Sequence, residues 1–186
     1  MRNRIAVIAA TVLVAGGALA TSQTASAATE VPAAGQQHSK TATNSDSGLH
    51  LNSTWNKNFV NGLYGTCLDD SSGAGLRMNT CSDASYNNGY QKWAATENGG
   101  YLKFKNAKTG LCLDGSSGAG VRSYTCSQAS YDNGYQKWVI YASAGGWVSF
   151  GNWATGECMD YSAGSGLRLH TCSVASLNNG YQAWNY

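Results

Sequence analysis

An aspartate, an arginine and a tyrosine recur at fixed offsets three times in this chain of 186 residues. Asp69, Asp114 and Asp160 each stand two residues after a cysteine. Arg77, Arg122 and Arg168 follow eight residues later, and Tyr90, Tyr135 and Tyr181 directly precede a glutamine, Gln91, Gln136 or Gln182. A carboxylate accepts several hydrogen bonds at once, and a guanidinium donates them as a planar fork. Two uses of the pair are open. The arginine occupies the carboxylate internally, or both groups face an outside ligand. Each aspartate also precedes a Ser- and Gly-rich loop, where capping a turn is the plain alternative.

Catalysis needs a constellation that this set does not supply. The repeated part holds one histidine, His170, and its cysteines fall into equally spaced pairs that leave no free thiol. No Ser/His pair has an orienting acid, and paired carboxylates for glycoside hydrolysis would come from acids that mostly repeat threefold. Triplication fits recognition better than a single active site. No catalytic domain is expected on this chain.

The residues belong to a 27-residue segment that occurs from Cys67 to Trp93, Cys112 to Trp138 and Cys158 to Trp184. Copies one and two agree at 21 of 27 positions, and copies two and three at 16. Upstream, Phe59, Phe104 and Phe150 stand eight residues before the first cysteine of each copy, and Asn61, Asn106 and Asn152 six before. The period is 45 or 46 residues, the signature of a repeat architecture. Stretches such as Tyr101-Leu102-Lys103-Phe104-Lys105 alternate with period two, and Gly, Asn and Ser clusters separate them. An all-β fold is predicted, with no helix of ten residues or more. One unit is too small to bury its own core, so the three must share one, built from the phenylalanines and the Gln-x-Trp tryptophans.

The six cysteines, 67 and 81, 112 and 126, 158 and 172, each have 13 residues between partners. Six cysteines allow fifteen connectivities; threefold repetition favours bridges within each copy. The spacing is wrong for zinc, and no metal or cofactor is expected. At the N-terminus, Arg2 and Arg4, an apolar run from Ile5 to Ala20 and Ala25-Ser26-Ala27 form a secretory signal-peptide pattern over residues 1–27. Residues 28–50, which include His38 and His50, are expected to be a disordered leader. Without Arg2 and Arg4 the basic count falls from 12 to 10, against 10 acids. No basic patch points to nucleic acid, and no further apolar run points to membrane insertion.

Three units of about 45 residues, each with Cys-Leu-Asp or Cys-Met-Asp, a second cysteine and a closing Gln-x-Trp, resemble ricin B-type lectins and the family-thirteen carbohydrate-binding modules. The resemblance covers 51–186, with repeats of about 51–93, 94–138 and 139–186. It implies a β-trefoil, a six-stranded barrel capped by three hairpins. It also implies that Asp69, Asp114 and Asp160 accept from sugar hydroxyls. The family's stacking aromatic lies two before the second cysteine, where this chain has Asn79, Tyr124 and His170; the second copy is then the strongest site. Many members place Asn before the Gln, where this chain has Tyr90, Tyr135 and Tyr181, so the pocket is expected to be rebuilt around tyrosine. Gln91, Gln136 and Gln182, with Arg77, Arg122 and Arg168, are expected to orient the acceptor. The resulting expectation is a secreted, extracellular, monomeric, non-catalytic lectin with up to three shallow sites. A protein-binding trefoil is the second reading.

Overall fold

The computed structural model describes residues 54–186. The signal peptide expected over 1–27 and the leader expected over 28–50, with His38 and His50, lie outside the described residues.

The first repeat contributes β1 (Thr54–Lys57), β2 (Val60–Asn61), β3 (Thr66–Ser71) and β4 (Gly75–Thr80), then α1 (Asp83–Asn87) and β5 (Trp93–Asn98). The second contributes β6 (Tyr101–Asn106), β7 (Cys112–Ser116), β8 (Gly120–Tyr124), α2 (Gln128–Asp132) and β9 (Trp138–Ala144). The third contributes β10 (Trp147–Asn152), β11 (Glu157–Ser162), β12 (Gly166–Thr171), α3 (Val174–Asn178) and β13 (Trp184–Asn185).

Following the pairings closes a ring. β5 pairs with β6, β6 with β9, β9 with β10, β10 with β13, and β13 with β2. β1 and β2 are successive pieces of one strand interrupted at Asn58 and Phe59, and β1 pairs back onto β5. A closed ring leaves no free edge. The hairpins β3–β4, β7–β8 and β11–β12 hang from this barrel at equivalent points, Val60 opposite Cys67, Lys105 opposite Cys112 and Gly151 opposite Cys158. The fold is the all-β trefoil that the family resemblance implies.

The core lies on the threefold axis. Phe59, Phe104 and Phe150 are fully buried, with ring centroids 4.8, 5.3 and 5.6 Å apart in tilted-edge contacts. Tyr186 stacks on Phe59 at 6.0 Å and meets Phe150 at 4.9 Å. Trp93, Trp138 and Trp184 are fully buried around this centre. Each satisfies its indole N–H on the carbonyl of Leu68, Leu113 or Met159, at 3.0, 3.0 and 2.9 Å. Those carbonyls precede the three aspartates, so the closing tryptophan of each copy pins the strand that carries its acid.

The disulfides join Cys67 to Cys81, Cys112 to Cys126 and Cys158 to Cys172, one within each copy. After each second cysteine the chain makes a five-residue helix. Ser82, Ser127 and Ser173 cap these helices by accepting from the N–H of Ser85, Ser130 and Ser176. One helical turn is too short to carry a visible helical period, so these helices are not legible in the sequence.

The repeats interlock through the Asn-Gly turn that follows each helix. Gly180 has φ +86, and a Cβ built there lies 2.8 Å from the backbone N of Leu63 in the first repeat. Gly180→Ala therefore combines left-handed backbone strain of about 1–2 kcal/mol with overpacking of about 1–3 kcal/mol against backbone that cannot yield. A thermal melt is expected to show a loss of both together; an unchanged melting temperature would mean that the junction is looser than its distances indicate.

Candidate functional site

Each hairpin presents one face on which the threefold-repeated set converges. Side chains alternate along a strand, so Cys67 and Asp69 share a face of β3, and Arg77 and Asn79 share a face of β4. Register then sets the pairs. Asp69 lies opposite Arg77 and Cys67 opposite Asn79; the second copy pairs Asp114 with Arg122 and Cys112 with Tyr124; the third pairs Asp160 with Arg168 and Cys158 with His170. The disulfide fixes the end of each hairpin beside this face.

The aspartates are buried, 1, 1 and 2% exposed. Arg77 Nη2 is 2.6 Å from Asp69 Oδ1, while Arg122 Nε and Arg168 Nε are each 2.9 Å from Oδ1 of Asp114 and Asp160. The arginine side chains are 35, 40 and 37% exposed. Each arginine therefore covers its carboxylate. Burying a carboxylate is costly unless it is paired, and this pairing lets the acid sit under the hairpin. Of the two uses left open by the sequence, the structure shows the internal pair. In the first copy the contact is an ion pair without hydrogen-bond alignment, and Arg77 Nη1 instead donates to Ser71 Oγ at 3.0 Å.

The glutamines tie the site to the helix loop. Gln91, Gln136 and Gln182 are buried and donate through Nε2 to the carbonyls of Thr80, Thr125 and Thr171, all at 2.9 Å. Their Oε1 atoms accept from the N–H of Ser82, Ser127 and Ser173 at 3.1, 3.2 and 3.0 Å. Gln136 Nε2 also lies 3.4 Å from Asp114 Oδ2, a long contact that links amide and acid directly in the second copy.

The three tyrosines before these glutamines stand beside the acid through their backbone. The carbonyls of Tyr90, Tyr135 and Tyr181 accept from the N–H of Asp70, Gly115 and Tyr161, each next in sequence to a site aspartate. The same carbonyls accept from Asn106, Asn152 and Asn61, at 2.9, 2.9 and 3.3 Å, which binds each site to the neighbouring repeat. The spacing of these asparagines was visible in the sequence, but their role was not. Tyr135 and Tyr181 are exposed, whereas Tyr90 is half-buried with Lys108 Nζ 5.2 Å from its ring centre.

The position two before the second cysteine differs among copies in the structure as in the sequence. Asn79 is exposed and turns Oδ1 to the N–H of Thr80 at 2.9 Å. His170 is exposed. Tyr124 is 48% exposed, and the Arg122 guanidinium lies 4.3 Å from its ring centre, so arginine takes one ring face.

Two features near the sites were not found from the sequence. Asp70, directly after Asp69, is buried and accepts from Thr109 Oγ1 at 2.5 Å, which joins the first hairpin to the second repeat. Within the second repeat, Lys137 Nζ sits 4.9 Å from the ring centres of both Tyr101 and Tyr131. Burial, followed by Tyr101, Asp132 and Glu97, raises the Tyr131 phenol above its ordinary range. Among the described residues, no group of His, Cys, Asp or Glu is arranged to hold a metal ion. Also among them, no helix is long and apolar enough to cross a membrane.

With barrel, hairpins and sites in place, the class is defined. The chain belongs to the ricin-type beta-trefoil lectin domain family, whose model matches residues 55–184. Family membership makes this a carbohydrate-binding domain. The fold is similar to ThreeFoil, a designed threefold-symmetric protein, at TM-score 0.57 and 18% identity over 70% of this chain and 96% of that one. It is similar to the hemolytic lectin CEL-III at TM-score 0.55 and 26% identity, covering 71% of this chain and 30% of CEL-III. It is also similar to a Polyporus squamosus lectin with bound Neu5Acα2-6Galβ1-4GlcNAc, at TM-score 0.54 and 18% identity over 74% of this chain and 49% of that one. An endo-β-galactosidase from Clostridium perfringens shares the fold at TM-score 0.58 and 16% identity, over 70% of this chain and 31% of the enzyme. The chain thus spans less than half the length of each of the last three proteins. No curated protein sequence matches it.

Proposed function

We propose that the chain is an exported, extracellular, non-catalytic carbohydrate-binding protein with up to three shallow sites, one on the outer face of each hairpin. It acts as a monomer and holds polysaccharide or a glycan-coated surface by avidity. The observation that carries this is the threefold recurrence of a buried Asp and a half-exposed Arg on a disulfide-braced hairpin, beside a loop Tyr whose backbone carbonyl bonds the strand next to the acid. A site with one guanidinium and at most one stacking ring buries little surface. Affinity near millimolar per site is expected, on the order of −4 to −5 kcal/mol, with the gain coming from multivalency.

The copies should be unequal. Tyr124 has one face on Arg122 and leaves the other for the C–H face of a sugar, which adds about 1 kcal/mol over a side chain with no ring. Tyr124→Ala is expected to weaken binding about five- to tenfold at the second site, and Asn79→Ala hardly at all. Titrations of both variants with the same glycan decide it. Equal losses, or none for Tyr124→Ala, would place recognition elsewhere.

A second reading has an observation of its own. Tyr64, Tyr141, Trp153 and Ile140 are also exposed, a composition suited to a protein interface. A folded chain that binds a protein and no glycan would favour it.

A further inference from the structure

In the second and third copies the arginine is held at one end only. Arg122 and Arg168 give Nε to their aspartates, and neither makes another hydrogen bond. The terminal Nη1 and Nη2 groups of each are therefore uncommitted at the half-exposed end of the side chain. Arg77 is arranged differently. Its Nη2 contacts Asp69 and its Nη1 donates to Ser71. Beneath all three the carboxylate side chain is only 1–3% exposed. Seen from solvent, copies two and three are donor forks lying over a hidden acceptor.

This arrangement selects the ligand. The vicinal hydroxyls of a neutral sugar are best held by an acceptor, and reaching this one means lifting arginine from a buried carboxylate. That leaves an unpaired buried charge, a cost comparable to or larger than what one shallow site returns. A ligand oxyanion needs no such displacement. Two parallel N–H groups of a guanidinium match a carboxylate, sulfate or phosphate in bidentate geometry. In the second copy the fork is already oriented, because Asp114 holds Nε and the Tyr124 ring lies 4.3 Å from the guanidinium carbon. In the third copy only Asp160 holds it. The chain without Arg2 and Arg4 balances 10 basic against 10 acidic residues, so the attraction is local to each fork and not a long-range field.

We propose that Arg122 and Arg168 bind an oxyanion carried by the glycan, so that the ligand class is an acidic saccharide, with the second copy strongest and the first weakest. The inference rests on the lectin reading and names its substrate class.

The test compares matched neutral and acidic saccharides by calorimetric titration of the full chain: glucose oligomers, uronate oligomers, and sulfated and phosphorylated forms. The acidic arms separate the source of the oxyanion. At least one acidic form is expected to bind about tenfold or more tighter than its neutral counterpart. The preference should shrink from low salt to about 0.5 M, where screening is short-ranged. Arg122→Lys keeps a cation for Asp114 but removes the fork, and should weaken the acidic ligand about tenfold with an unchanged melting temperature. Lys57→Gln removes an exposed cation on β1, outside the three hairpins, and should leave acidic binding within about twofold. Arg122→Ala is less informative alone, because it strands a buried charge and threatens folding. Equal affinity for neutral and acidic forms, or an Arg122→Lys variant that binds the acid as well as the parent, overturns the inference and leaves the lectin reading standing. A folded chain that binds none of the saccharides overturns both.

Discussion

Reducing the three disulfides is expected to lower the melting temperature by tens of degrees. Each bridge closes a loop with a sequence separation of 14 residues. In the loop-entropy account each is worth about 3 kcal/mol, and three amount to about 9. That is comparable to the whole stability of a typical domain, about 5–15 kcal/mol. The core has limited means to compensate, because its large, fully buried apolar side chains are one Phe, one Trp and one Leu or Met per repeat around a single axis. The bridges also brace the hairpins that carry the sites, so ligand binding should fail with the fold. Melts followed by circular dichroism, with and without reductant, measure the effect. A fall of only a few degrees would show that barrel closure alone sustains the domain.

The second large effect is expected at the axis. Phe104 is fully buried and meets Phe59 at 4.8 Å and Phe150 at 5.3 Å. Phe104→Ala removes contacts to all three repeats at once and leaves a cavity where the strands cannot collapse inward. A loss of about 3–5 kcal/mol is expected. Ile140→Ala, at a residue 47% exposed, is the control and should stay within about 0.5 kcal/mol. Denaturant titration of both variants settles it; a loss under about 1 kcal/mol for Phe104→Ala would mean that the aromatic cluster is not the shared core.

The parts of this architecture legible in the sequence are those that repeat. Identical spacing of Phe59, Phe104 and Phe150 marks one shared core, and equal cysteine spacing marks three local bridges. The trefoil itself came from resemblance, since period and alternation imply only a threefold all-β unit. The site was partly legible. Asp and Arg at a constant separation of eight residues anticipate a cross-strand pair, but which guanidinium nitrogen meets the acid is decided by surroundings. Ser71, Ser116 and Ser162 all accept from a turn N–H, that of Ala74, Ala119 or Ser165, yet only Ser71 also takes a guanidinium N–H, from Arg77. No spacing rule carries that difference. Contacts between repeats were equally hidden. Asn61 bonds the carbonyls of Gly180 and Tyr181, 119 and 120 residues away. Tyr101 of the second repeat meets Trp153 of the third edge-on, with ring centroids 5.0 Å apart. The one-turn helices escaped because five residues carry no period, although the capping serines stood at the same place in every copy.

The central claim is that this trefoil recognises carbohydrate through its hairpin faces. Profiling the oxidised, folded chain on a broad glycan array tests it most directly. The account predicts saturable binding to a restricted set of glycans, weak to single sugars and stronger to dense or polymeric display. Absence of binding to every glycan, with the three disulfides intact and the melting transition normal, would contradict it.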